Sequence, residues 1–290
     1  MTPPRDGAVD VRGLTIHYLE WGDPSGEPLL LIHGFLDHAR SWEPFVAALQ
    51  EKTSPSRRII APDCRGHGDS DWVGAGGYYH FADYLWDLNT LVETLKLSTF
   101  TLVGHSMGGT ISFIYAGTFP ARIRKLVLIE GIGPLPAQFA DAPPRMERWL
   151  TEVKLLPHRK IVEYPSLEIA ADRLRRKNPR LKPNLAVELA RTAMRQIDNG
   201  SWVWKFDPLH RTMAPQPFYS EQAVEFFRRI ECPVLVVNGA ESRMTPRPDV
   251  DRRVSAIRQH TAAEVEHAGH MIHHDNPVRL AEIVSGFIDR

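Results

Sequence analysis

Apolar positions in the first half of the chain come in short runs separated by stretches of helical period. PLLLIHG (28–34), RRIIAPD (57–63), FTLVGHS (100–106) and IRKLVLIEG (123–131) are continuous apolar runs of strand length, and LTIHYLEWG (14–22) alternates like a strand with one covered face. Between them, SWEPFVAALQ, ADYLWDLNTLVETLK and TISFIYAGTF are predicted helices. In the second of these, Tyr84, Leu85, Leu88, Leu91, Val92 and Leu95 recur at helical spacing and make one apolar face. Strands alternating with helices in this way predict an α/β fold, a mostly parallel sheet with helices on its flanks.

The alternation stops near Gly133, where Pro134, Pro136, Pro143 and Pro144 mark an exit from the sheet, and resumes at CPVLVVNG (232–239). MERWLTEVKLL, LEIAADRLRRK and NLAVELARTAMRQI between those points have helical periodicity. The chain therefore reads as a core built from residues 1–132 and 230–290, interrupted by a helical cap over residues 133–229. After the insertion come a strand, a helix near 247–258, the strand TAAEVEHA and a closing helix PVRLAEIVSGFI.

Composition adds little bias. The 290 residues are 43% hydrophobic and carry 35 basic and 35 acidic side chains, so no overall charge favours nucleic acid, an anionic membrane or an acidic partner. DRLRRKNPRLK (172–182) is basic but lacks interleaved aromatics, and reads as a solvated helix face. The N-terminal stretch carries charges and glycines where a secretion leader needs an apolar core, and no run approaches bilayer length. Cys64 and Cys232 are too few and too far apart for a disulfide framework or a zinc site. The expectation is a soluble, cytoplasmic protein with no cofactor, no metal, and neither nucleic acid nor membrane as partner. No Walker-type loop or dinucleotide fingerprint is present.

The candidate chemistry centres on VGHSMGGT (103–110). Placed between a predicted strand and a predicted helix, Gly104-His105-Ser106-Met107-Gly108 fits a nucleophile elbow, a strained turn that lifts the serine hydroxyl above the sheet edge. Gly104 and Gly108 leave room where strand and helix come close, and Ser106 sits at the helix N-terminus, where developing negative charge is favoured.

On these residues the chain resembles the α/β-hydrolase superfamily along essentially its whole length. His33-Gly34-Phe35 resembles the family's oxyanion loop, DCRGHGDS (63–70) its D-x-R-G-x-G-x-S turn, and EHAGHM (266–271) its catalytic histidine loop. The resemblance implies Ser106 as nucleophile and His270 as base; His267, His273 and His274 flank His270 but lie outside the G-H-M position. It also implies backbone N–H donors at Phe35 and Met107 for the oxyanion. His33 and His105 are read as positioning these loops, and Asp63, Arg65 and Asp69 as stabilising their turn.

The acid that orients His270 departs from the commonest pattern. In VVNGAESRMT the position three beyond Gly239 is Ser242, which cannot carry negative charge. LIEGIGPLPAQFADAPPRM resembles haloalkane dehalogenases, in which a glutamate ends the sixth strand, and this implies Glu130; Glu241 and Asp249 are the alternatives. Those enzymes use an aspartate nucleophile, so the serine here points to acyl chemistry instead. The expected activity is hydrolysis of small or medium, largely apolar carboxylic esters through an acyl-enzyme. Thioester, lactone or carbon–carbon bond hydrolysis, perhydrolysis and a slow-turnover ligand-binding receptor are the alternatives. Trp149, Trp202 and Trp204 are candidate substrate-lining residues within the cap.

Overall fold

The computed structural model describes residues 3–52, 57–242 and 248–290. Its strands are β1 (Arg5–Val11), β2 (Leu14–Gly22), β3 (Pro28–Ile32), β4 (Arg58–Pro62), β5 (Phe100–His105), β6 (Ile123–Ile129), β7 (Met194–Gln196), β8 (Trp202–Trp204), β9 (Val234–Gly239) and β10 (His260–Val265). Eight of them form one sheet in the order β1-β2-β4-β3-β5-β6-β9-β10. Pairing is antiparallel at β1–β2 and β2–β4 and parallel from β4 to β10. Buried on both faces, the parallel strands read as unbroken apolar runs, which is why they were legible.

Helices cover both faces. On one side α1 (Glu43–Gln50) packs with the C-terminal α9 (Ile272–Asp275) and α10 (Pro277–Ile288) over Leu29, Leu31, Val103 and Val127. On the other, α2 (Phe81–Thr94), α3 (Met107–Thr118), α7 (Ser220–Arg229) and α8 (Pro248–Val254) close over Leu30, Leu102, Leu126 and Leu128. Alternate residues of one strand feed opposite layers, as a period of two requires. Cys64 and Cys232 are buried free thiols, and burial pushes Cys232 up to about 12.

The insertion carries α4 (Ala142–Leu155), α5 (Leu167–Lys177), α6 (Pro183–Ala193) and the β7–β8 hairpin. Ala170, Ala171, Leu181, Leu189 and Met194 form its own small core. Two expectations change here. The helix predicted to run through Arg195 and Gln196 stops at Ala193, because Met194–Gln196 pairs antiparallel with Trp202–Trp204 around an Asn199-Gly200 turn with Gly200 at φ 83°. Residues 220–229 were expected within the cap, yet α7 lies in the core layer: Phe227 stacks on Phe113 at 4.2 Å, and Phe226 closes over Gly117. The insertion thus returns to the core ahead of Ser220. The sequence reading also lacked β1, whose polar RDGAVDV has only Val9 and Val11 buried.

Candidate active site

Ser106 lies between β5 and α3 with φ 52° and ψ −113°, a conformation L residues rarely adopt. Two things hold it there. Its N–H donates to the Ile129 carbonyl at 2.9 Å, and a Cβ on Gly108 would overlap the Ile32 carbonyl, so only glycine lets α3 sit this close to β3. Glu130, at the end of the neighbouring β6, also has positive φ, 51°, and its N–H donates to Val237 O at 2.9 Å. Both side chains are thereby turned to the C-terminal edge of the sheet, where ligands bind in open α/β sheets.

His270 reaches the same edge from the loop after β10. Its Nε2 is 2.9 Å from Ser106 Oγ and its Nδ1 is 3.2 Å from Glu130 Oε2. With Nδ1–H donating to the carboxylate, Nε2 is left to accept the serine proton. The Glu130 side chain is fully buried, and its other contacts are the Gly239 N–H on Oε1 at 2.9 Å and the Ser242 hydroxyl on Oε2 at 2.7 Å. Ser242 stands where the usual acid would, and it donates to the glutamate there. Sequence reasoning discarded it for want of charge and missed that contact. Glu241 turns outward to Arg180, with Nε at 2.8 Å, and Asp249 pairs with Arg253 at 2.7 Å. Neither carboxylate contacts His270 among the described residues.

Above Ser106, the N–H groups of Phe35 and Met107 have no backbone acceptor among the described residues. Phe35 is aimed indirectly. Buried His33 donates from Nδ1 to Gly34 O at 2.7 Å and accepts the Cys64 N–H on Nε2 at 2.9 Å. In a trans peptide C=O and N–H point opposite ways, so tying down the Gly34 carbonyl fixes the direction of the Phe35 N–H. Burial holds the His33 imidazole below its usual range, which keeps it in this neutral, one-donor form.

A second histidine holds the base loop. His105 donates from Nε2 to the His270 carbonyl at 2.8 Å, and burial, together with the neighbouring His273 and His270, keeps it well below the usual histidine range. His273 in turn donates to Asp37 Oδ2 at 3.1 Å. Burial works to raise the Asp37 carboxyl, but the hydrogen bonds from His273 and His38 outweigh it and hold it well below the usual range. Asp37, His105 and His273 place potential metal-ligand atoms within 4.8 Å of one another; Nε2 of each histidine is committed to a hydrogen bond, whereas Nδ1 of each is buried without a hydrogen-bond partner among the described residues. In the 63–70 turn Asp63 accepts the Ala39 and Asp69 N–H groups at 2.7 and 3.0 Å, and Arg65 pairs with Asp87 at 2.6 Å. The Asp69 side chain instead leaves the turn for Lys205, at 2.6 Å.

A cavity of about 370 Å³ opens over Ser106. Phe35 and Met107 contribute to its wall beside Tyr78, Phe81, Leu209 and His210, and Gly133 and Pro134 form part of its rim. The predicted tryptophans stand elsewhere. Trp202 and Trp204 pack on the insertion's own core, because the hairpin that carries them seals α5 and α6. Trp149 touches the cavity only through Tyr78, ring to ring at 5.6 Å. The insertion reaches the cavity instead through Gly133 and Pro134 at its start and through Leu209, His210, Thr212, Ala214, Pro215 and Gln216, just beyond the WVW run; the signal for Leu209 and His210 was the end of that same aromatic stretch. Burial lowers His210 to about 4, so it meets the cavity as a neutral ring.

This elbow, sheet order and edge-on site define an α/β hydrolase, and the model of the alpha/beta hydrolase fold matches residues 27–277. The chain belongs to that family and is a serine hydrolase within it. A serine hydrolase-like protein of Danio rerio is 26% identical over 92% of this chain and 83% of its own length. The 3-hydroxybutyrate-oligomer hydrolase of Cupriavidus necator is 28% identical over 91% of this chain and 89% of its own. A solved structure of a hypothetical protein from Pseudomonas aeruginosa superposes with a TM-score of 0.89 at 27% identity, covering 98% of this chain and 99% of that one.

Proposed function

We propose that the protein hydrolyses small to medium, largely apolar carboxylic esters through an acyl-enzyme on Ser106. The observation that carries this reading is the continuous relay from Ser106 Oγ through His270 to Glu130, opening onto a cavity whose walls are chiefly aromatic and aliphatic. Ser106 Oγ attacks the ester carbonyl carbon as His270 Nε2 takes its proton, and Glu130 stabilises the imidazolium. The carbonyl oxygen, now an anion, receives the N–H groups of Phe35 and Met107, donors whose loss costs about two to three orders of magnitude in rate. The C–O bond to the alcohol breaks, and His270 returns the proton to the leaving oxygen. Water then attacks the acyl-serine by the same route and frees the acid.

The cavity volume of about 370 Å³ falls at the small end of ligand sites, which favours short and medium acyl groups. The insertion ahead of Ser220 acts as the filter, through Pro134, Leu209, His210 and Thr212 in the cavity wall. A relative named for hydrolysis of 3-hydroxybutyrate oligomers supports ester chemistry on this scaffold. The test is fluorophosphonate labelling together with turnover of p-nitrophenyl acetate, butyrate and octanoate. Ser106 takes the label, His270→Ala loses it, and turnover is multiple and absent in Ser106→Ala. Equal labelling of Ser106→Ala puts the reactive nucleophile elsewhere and sinks the proposal; a single burst without further turnover sinks it too and leaves a ligand-binding receptor as the reading.

A further inference from the structure

More than half of the large apolar side chains exposed among the described residues lie between Leu135 and Val162, at the start of the insertion. A surface of separate polar positions does not distribute them so. On α4, which buries no residue, Met146 and Leu150 stand four apart on one stripe. From the last residues of α4 onward the chain reads KLLPHRKIV (154–162), where Leu155, Ile161 and Val162 are exposed by 46, 57 and 49%.

Charge says what would cover this surface. Lys154, Arg159 and Lys160 alternate with those apolar side chains and form no ion pair among the described residues; of the acids that flank 154–162, Glu152 is held by Arg148 and the Met213 N–H with Arg159 nearby, and Glu163 accepts from Asn199. Behind the segment lies a cleft of about 540 Å³, lined by Arg159, Lys160, Ile161 and Val162 on one side and by Trp72 and Arg211 on the other. Asp207 is the one carboxylate in that lining, and it is buried and spent on Tyr79 Oη and the Leu209 N–H. The basic α5 adds to the field: burial, then Arg173 and Arg211, lower the Lys177 ammonium. A second copy of the same face would meet cation with cation, whereas an anionic lipid surface would take cations and apolar side chains together. The chain's zero net charge conceals this local separation.

We infer that residues 154–162 and the cleft behind them dock the protein on anionic lipid surfaces. The turn Pro208–Arg211 links this face to the catalytic cavity: Leu209 and His210 line the cavity, while Pro208 and Arg211 line the cleft. Docking therefore sets the cavity wall against a surface in which apolar esters concentrate. The inference deepens the ester-hydrolase reading, but binding is measured without turnover, so the two can fail separately.

The experiment is co-sedimentation of the full chain with phosphatidylglycerol vesicles and with phosphatidylcholine vesicles, at low and high sodium chloride. Binding to the anionic vesicles is expected to be about tenfold or more tighter and to weaken as salt screens the cations. Arg159→Glu with Lys160→Glu, and separately Ile161→Asp with Val162→Asp, should each reduce it about tenfold or more while leaving the melting temperature near that of the parent, since all four positions are exposed. Ser106→Ala should bind like the parent. Equal binding to both vesicle types, undiminished binding by both double variants, or a sedimentation-detected dimer that the double variants abolish would overturn the inference.

Discussion

Ser242 Oγ donates a 2.7 Å hydrogen bond to Glu130 Oε2, the same oxygen that faces His270 Nδ1 at 3.2 Å. The residue at the usual acid position is thus hydrogen-bonded to the proposed acid, which comes from another strand. Ser242→Ala is expected to lower kcat/KM by about ten- to a hundredfold, the scale of losing one hydrogen bond to a charged group. Ser242 Oγ and His270 Nδ1 meet at one atom, Glu130 Oε2. In Glu130→Gln, Ser242→Asp should return at least about tenfold of the lost turnover, since a carboxylate there can again take the Nδ1–H. A double variant no faster than Glu130→Gln alone would show that position 242 cannot serve His270.

The three candidate acids separate cleanly by substitution. Glu130→Gln should retain the fold and lose up to about ten-thousandfold in kcat, because the amide can stabilise the wrong imidazole tautomer. Glu241→Gln and Asp249→Asn should stay within a few-fold of the parent, since Glu241 faces Arg180 and Asp249 faces Arg253. Collapse of turnover in either, with Glu130→Gln near normal, would move the acid off β6.

Elements with local signals were legible in the sequence. α5 and α10 fall where periodicity put them, each entered through a side-chain cap, Ser166 onto the Ile169 N–H and Asn276 onto the Arg279 N–H. The parallel strands and the elbow carried equally local cues. What was missed depends on partners distant in sequence. Met194–Gln196 continues a helical pattern and becomes a strand only because Trp202–Trp204 pairs with it. α7 has one apolar face wherever it sits, and the Phe113 ring, not its own period, assigns it to the core. Ser242 was judged by the charge it lacks, whereas its role comes from the carboxylate 2.7 Å away.

Acid should destabilise the fold through its neutral buried histidines. His210 falls from 6.5 to about 4 and His274 from 6.5 to about 3, burial being the first cause of each. The unfolded chain takes up these protons first, so the contribution is complete above pH 6.5 and is lost progressively as pH falls toward the folded values. For His210 alone that amounts to about 3 kcal/mol by pH 4. Urea unfolding of the parent and His210→Gln at neutral pH and at pH 4 checks it, because glutamine does not titrate. The loss of stability on acidification should be smaller in the variant by about that amount, and an unchanged loss would mean His210 is protonated equally readily in both states.

Acyl-chain preference should follow the cavity wall and ignore the aromatic cluster next to it. Leu209 lines the cavity, so Leu209→Ala lengthens the space open to an acyl chain. Each methylene accommodated in an apolar pocket changes kcat/KM by roughly tenfold or more. The octanoate-to-butyrate ratio of kcat/KM for p-nitrophenyl esters is therefore expected to rise about tenfold or more in this variant. Trp202 and Trp204 pack instead against the core of the insertion, Trp204 edge-on to Tyr164 at 5.8 Å. Trp202→Ala and Trp204→Ala should cost about 1–3 kcal/mol of stability, less than truncation of a fully buried tryptophan because both side chains are partly exposed, and should leave the ratio within about twofold. Trp149→Ala falls between, since it removes only the edge contact that supports the Tyr78 ring. A ratio that moves as far in Trp202→Ala as in Leu209→Ala would mean that substrate reaches the hairpin, and that the acyl chain lies on the far side of the Pro208–Arg211 turn.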